Sequence, residues 1–228
     1  MEGFLLVDKP EGYVSFKLVS GLRQLTGIKK IGFAGTLDPF ATGLMVMAIG
    51  RRYTRQLDCF HSLPKTYHVG MQLGVGTNTL DKDGQELYRQ PYVLDVAHAQ
   101  QTLLSFMGTY LQIPPMFSAK KKEGKKLYEL ARKGIDIKLE PSEVTIFDLK
   151  WRSWEEGDFP FVSFDVTCSK GTYVRSLVRD IAIQLGTQAT TVGLRRTSIG
   201  SYTDADALTW PISCVDRIHA ALIQQDML

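Results

Sequence analysis

Two rhythms of apolar and polar residues run along this 228-residue chain. Between residues 66 and 74, Tyr67, Val69, Met71 and Leu73 alternate with His68, Gly70, Gln72 and Gly74. That period of two predicts a half-buried strand. Val162, Phe164, Val166 and Cys168 repeat it against Ser163, Asp165, Thr167 and Ser169. The run GFLLV at 3–7 predicts a short buried strand that ends in the turn Lys9-Pro10-Glu11-Gly12. The second rhythm is helical. Ser15 is placed to cap a helix carrying Phe16, Val19 and Leu22 on one side. Asp95 opens another, with Val96, Ala99, Leu103, Leu104 and Met107 inward. After Gly171-Thr172 a third carries Val174, Leu177, Val178, Ile181 and Leu185 on one face, and Gly186 closes it. Strands and helices mix without a regular βαβ alternation, so the pattern predicts an α+β fold: a mainly antiparallel sheet with helices packed on it.

Composition narrows the class without naming a chemistry. Hydrophobic residues make up 44% and charged residues 22%, as in an ordinary globular protein with a sizeable core. Cys59, Cys168 and Cys214 are far apart and form no C-x-x-C pair, which predicts reduced thiols and no zinc site. The amino terminus lacks the basic start and long apolar core of a secretory signal, and the expected location is cytoplasmic. No phosphate-binding glycine loop, nucleophile elbow or histidine cluster is present, so neither a cofactor nor a metal is expected. The stretch TLDKDG fits a calcium loop poorly, and Asp83-Gly84 is better read as a hairpin turn.

Net charge is only +3, so affinity for polyanions depends on where the cations sit. SAKKKEGKKLYELARKG, residues 118–134, packs seven Lys or Arg against two Glu behind Pro114 and Pro115. A projecting loop and a short helix are expected there, with Lys120, Lys121, Lys125 and Lys126 placed for phosphate contact. A merely solvated helix end fits the same run.

The stretch GFAGTLDPFATGLMVMAIG, residues 32–50, holds a single carboxylate, Asp38. Pro39 biases Asp38 toward extended angles, and Gly35 and Gly43 permit bends on either side. A carboxylate so presented suits local turn capping and catalysis equally well. GTLDPFATGLM resembles the signature of TruB-type tRNA pseudouridine-55 synthases. DKPEGYVSF, KTYHVGMQLGVGTNTLDKDG, IPPMFSAKKKEGKKLYELARKG, CSKGTYVRSLVRDIAIQLG and GLRRTSIG are similar to further motifs of that family, in the same order.

The resemblance implies a pseudouridine synthase fold and the isomerisation of uridine 55 in the tRNA T loop, with tRNA as partner and no cofactor. Asp38 takes the position of the nucleophile, which can attack C1′ or C6 of a flipped-out uridine. Arg175 takes that of the cation keeping the carboxylate ionised, and Tyr67 that of the pocket tyrosine that stacks on uracil and removes the C5 proton. Tyr173 and Leu194 match positions lining the uracil pocket, Lys9 a lysine close to the site, and residues 113–140 a basic RNA-gripping insertion. Most members of the family carry His where this chain has Phe33, so a hydrogen bond that holds the opened loop is expected to be lost. The expected organisation is a catalytic domain over 1–205 and a short extension over 206–228 carrying a terminal helix. A monomer with a weaker hold on the tRNA acceptor end is expected. The alternative reading is a non-catalytic tRNA-binding or folding module, to which the basic arm alone would be sufficient.

Overall fold

The computed structural model describes residues 1–118, 121–122, 125–126 and 139–224. It divides into two compact units: residues 1–68 with 194–228, and residues 69–193. The boundary falls inside two strands, β4 (Lys65–Leu73) and β12 (Ala189–Ile199). The α+β class holds, with a mixed and mostly antiparallel sheet.

In the first unit, β1 (Gly3–Lys9) runs antiparallel to β3 (Thr42–Ile49), from Gly3 opposite Ile49 to Lys9 opposite Gly43. Both strands are almost continuously apolar because they are covered on both faces. The other edge of β3 is shared. β2 (Ile31–Ala34) lies antiparallel along Val46–Ile49, while Arg195 and Arg196 of β12 pair in parallel with Thr42 and Gly43. β13 (Tyr202–Thr203) folds back antiparallel on the end of β12, and β14 (Leu208–Thr209) adds to β1 in parallel. Phe4, Leu6, Leu44, Val46, Tyr53 and Phe60 share a buried cluster in which Phe4 meets Tyr53 and Phe60 edge-on, at centroid distances of 5.1 and 4.8 Å. The expected terminal helix is present at Val215–Ala220.

Helix Ser15–Thr26 departs from expectation in two ways. Its N-cap is Val14, not Ser15, and Phe16 lies on the solvent side while Leu18, Val19 and Leu22 are buried. The hydroxyl of Ser15 is used elsewhere, which frees it from the capping role.

In the second unit the strand order is β4, β11 (Phe161–Cys168), β10 (Ser142–Glu155), β7 (Gly108–Gln112), with antiparallel ladders joining the last three. Val69, Met71 and Leu73 are buried, as are Val162, Phe164, Val166 and Cys168, in keeping with the alternation, although Ser163 on the opposite face is buried as well. A hairpin of β5 (Val75–Thr77) and β6 (Glu86–Arg89) turns through Asp83-Gly84 as expected. Asp95 caps helix Val96–Leu104 by accepting a 3.0 Å bond from the His98 N–H. The inward set is narrower than its spacing suggested: Ala99 and Leu103 are buried, whereas Leu104 and Met107 are exposed. Helix Val174–Gln184 buries Val174, Leu177, Val178 and Ile181, and Tyr173 occupies its N-cap position.

In the basic arm, Lys121–Lys122 and Lys125–Lys126 form β8 and β9, a two-rung antiparallel pair. Lys120 and the short helix expected after it lie outside the described residues.

Candidate active site

The loop that presents Asp38 joins β2 to β3, and four residues distant in sequence brace it. Ser15, buried at the start of its helix, donates to the Leu37 carbonyl at 3.1 Å and accepts from the Leu37 N–H at 3.2 Å. The Gly12 N–H donates to the Pro39 carbonyl at 2.8 Å. Within the loop, the Ala41 N–H donates to the Asp38 carbonyl at 3.1 Å.

Lys9 is fully buried, not a solubilising surface residue. Its ammonium donates to the carbonyls of Tyr13 at 2.8 Å, Pro10 at 3.0 Å and Pro39 at 3.2 Å. Three donors meet three acceptors, so one side chain ties the Lys9–Tyr13 turn to the peptide that follows Asp38. Burial pushes the amine down from its ordinary value to about 8, although the carboxylates of Asp38 and Glu11 oppose the shift and the Arg196 cation adds to it. Lys9, Asp38 and Arg196 thus share one electrostatic neighbourhood.

Arg196 is almost wholly buried. Its guanidinium donates to the Leu44 carbonyl at 2.7 Å and the Gly35 carbonyl at 3.1 Å, and it lies 3.0 Å from the Met45 sulfur. Those two carbonyls flank the Asp38 segment, so one planar fork fixes the separation of its ends. Gly35 and Gly43 adopt φ of +71° and +100°, conformations that cost a side chain strain. At Gly43 a Cβ would also meet the Arg196 carbonyl oxygen at 2.3 Å.

Near this loop in sequence, Phe33 is half-buried on β2, opposite Met47. Tyr67 is half-buried on β4, and Leu194 is buried two residues before Arg196 on β12. On β4, Lys65 is buried and donates to the carbonyls of Leu63, His61 and Phe60 at 2.6, 2.8 and 3.0 Å, closing off the preceding helix Leu57–Ser62.

The other expected residues, Tyr173 and Arg175, belong to the second unit. Arg175 is buried in the first turn of its helix. It donates to the carbonyls of Thr79 at 2.7 Å and Phe117 at 2.9 Å, and pairs with the buried Asp81 carboxylate at 3.2 Å. Asp81 is in turn oriented by Thr79, whose hydroxyl donates to it at 2.6 Å, and by the Asp83 N–H at 3.2 Å. Arg175 therefore joins the β5–β6 hairpin to Phe117, the residue just before the basic arm.

Tyr173 has its backbone held on both sides by one buried amide. Gln112 accepts from the Tyr173 N–H at 2.8 Å and donates to the Tyr173 carbonyl at 3.2 Å, and also donates to the Tyr110 hydroxyl at 2.6 Å. The side chain supplies the two bonds that a neighbouring strand would otherwise make. Burial raises the Tyr110 phenol well above its ordinary value, which keeps it a neutral member of this chain.

Among the described residues no group of three or more His, Cys, Asp or Glu could hold a metal ion, and no helix is long and apolar enough to cross a membrane.

The mixed sheet with its flanking helices has counterparts among solved structures. The fold matches a chain of a Cbf5-Nop10-Gar1 complex with a TM-score of 0.70 and 25% identity, over 91% of this chain and 52% of that one. It also matches a chain of an H/ACA RNP bound to a substrate RNA containing 2'-deoxyuridine, with a TM-score of 0.66 and 24% identity. Residues 23–174 match the TruB family pseudouridylate synthase (N terminal domain). The chain is 43% identical over 227 residues, 99% of its length, to the tRNA pseudouridine synthase B of Protochlamydia amoebophila, of which it covers 85%. It is 47% identical over 201 residues to that of Chlamydia felis, covering 88% of this chain and 84% of the relative. The chain belongs to the TruB family of pseudouridylate synthases.

Proposed function

We propose that the protein converts uridine 55 in the T loop of tRNA to pseudouridine, with Asp38 as nucleophile on a flipped-out uridine. Relatives named tRNA pseudouridine synthase B that match nearly the whole chain support tRNA as the substrate. The observation that carries the reading is the construction of the Asp38 loop. Lys9, Ser15 and Arg196 hold its backbone at Pro39, Leu37, Gly35 and Leu44, while the Asp38 side chain keeps partial access to solvent. A carboxylate on a rigid mount is suited to approach an electrophilic sugar or base carbon.

The reaction breaks the N1–C1′ bond and forms a C5–C1′ bond. The C5 proton is lost and N1 ends protonated, so no oxidant, reductant or water is consumed. Tyr67 takes the C5 proton, Arg175 supplies the cation that balances the carboxylate, and Tyr173 and Leu194 shape the uracil pocket. Flipping the nucleotide costs a few kcal/mol, and phosphate contacts from the basic arm, Lys120, Lys121, Lys125 and Lys126 among them, offset that cost.

The test is purified protein with a tRNA transcript, assayed for pseudouridine at each position. Product at position 55 and loss of at least roughly 1,000-fold in rate on Asp38→Asn are expected, an order of magnitude typical for removing a nucleophile. An Asp38→Asn variant that turns over like the parent overturns the assignment. Free uracil in place of pseudouridine would make the protein an RNA N-glycosidase instead.

A further inference from the structure

Basic residues outside the arm gather at one further place in the first unit. Lys29 and Lys30 precede β2, and Arg51, Arg52 and Arg55 follow β3. The β2–β3 ladder brings these segments together: Ile31 is opposite Ile49, and the Gly50 N–H donates to the Lys30 carbonyl at 2.8 Å. All five cations are exposed. Arg52 also lies over the Tyr53 ring, 5.7 Å from its centroid. The acids on adjoining turns are Glu2, whose carboxyl group rests against Gly50, and Asp58.

The distribution of charge along the whole sequence makes this cluster unusual. With the five and the seven cations of the arm set aside, fifteen bases remain against twenty-two carboxylates outside the arm. A protein of net charge +3 has thus concentrated its positive charge in two places on an otherwise acidic chain. Evenly solvated surface charge does not segregate in this way, whereas polyanion contact produces such a footprint.

We infer that Lys29, Lys30, Arg51, Arg52 and Arg55 form a second phosphate-binding surface for the RNA substrate. This rests on the reading of tRNA as that substrate. The patch sits at the end of β3 away from the Asp38 loop. The eight residues of Thr42–Ile49 separate the two by roughly 23 Å at the rise of an extended strand. A surface so far from the target nucleotide meets backbone beyond the T loop. It carries no base-reading geometry, and its contribution is to affinity and to salt dependence.

The experiment measures binding of a full-length tRNA transcript and of an isolated T-arm hairpin over a range of salt concentrations. The variant combines Lys29→Gln, Lys30→Gln, Arg51→Gln and Arg55→Gln, and leaves Arg52 on its tyrosine. Its affinity for full-length tRNA should fall on the order of tenfold or more near physiological salt. The slope of log affinity against log salt should become shallower by about 2 or more, at close to 0.9 for each phosphate released. Hairpin affinity should change less than twofold. A second variant, Arg51→Lys with Arg55→Lys, keeps the charge and should bind like the parent, which separates lost charge from disturbed folding. Unchanged affinity and slope for full-length tRNA in the neutralised variant overturn the inference. So does an equal loss on tRNA and hairpin. The tRNA reading fails separately, if the parent forms no pseudouridine in any tRNA.

Discussion

Lys9 and Arg175 are both buried cations, one in each unit, and the protein accommodates them by opposite means. Lys9 donates to three backbone carbonyls. The carboxylates near it act at longer range, and the amine is left at about 8, within reach of deprotonation. Arg175 combines two carbonyls with a buried carboxylate, Asp81, in a direct ion pair. A guanidinium keeps its proton at any pH a protein tolerates, so the charge that Arg175 sets against Asp81 is permanent, whereas an ammonium can shed its charge. The difference teaches which cation can serve as a permanent electrostatic partner and which works mainly as a clamp on the backbone.

The comparison is tested hardest at Asp81. Asp81→Ala removes the carboxylate that balances Arg175 within its unit. It should cost about 3–5 kcal/mol in urea unfolding, the scale for breaking a buried pair on one side. A loss below about 1 kcal/mol would mean that the pair is not what holds Arg175. Lys9→Met comes next. It keeps the length of the side chain but leaves the carbonyls of Pro10, Tyr13 and Pro39 without this donor. A loss of about 1–3 kcal/mol is expected, with turnover falling further than tRNA affinity because the Pro39 anchor beside Asp38 is released. Equal falls in both would argue against the clamp.

Gln112 probes the second unit from another side. Gln112→Ala should cost about 1–2 kcal/mol by the same measure. Gln112→Glu retains the acceptor for the Tyr173 N–H but not the donor for its carbonyl, so it should recover only part of the loss. A further effect is one of pH. Between about 8 and 10.5 the unfolded chain still holds the Lys9 proton while the folded chain has released it. Unfolding free energy therefore rises with pH across that window, and below it the cost of the buried charge is constant. Urea midpoints of the parent, relative to Lys9→Met, should climb between pH 8 and pH 10. A flat difference would place the amine at its ordinary value.

Local patterning was enough to read the strands around Val69 and Phe164 and the helix around Leu177, because each is periodic within a dozen residues. It misplaced Phe16, Leu104 and Met107, since spacing marks a face but not its width. The family motifs singled out Lys9, Asp38, Tyr67, Tyr173, Arg175 and Leu194 without showing how any of them is held. The braces were missed: Ser15 read as a helix cap, Asp81 as part of a turn, and Arg196 and Gln112 drew no attention. All four act through side-chain bonds to groups 22 to 161 residues away, or through a partner on another element. Such bonds leave no period in the chain. Arg196 did carry one clue, a cation two residues after Leu194 on an alternating strand and so on the same face.

The tolerance of the first unit is set by an atom that is missing. At residue 43 the backbone of the strand bearing Arg196 comes so near that even a methyl group would force the two-rung ladder apart. The guanidinium clasp on either side of the acid would be drawn off with it. One carbon, added to a residue with no part in the chemistry, would then dull the enzyme while leaving every residue named in that chemistry intact.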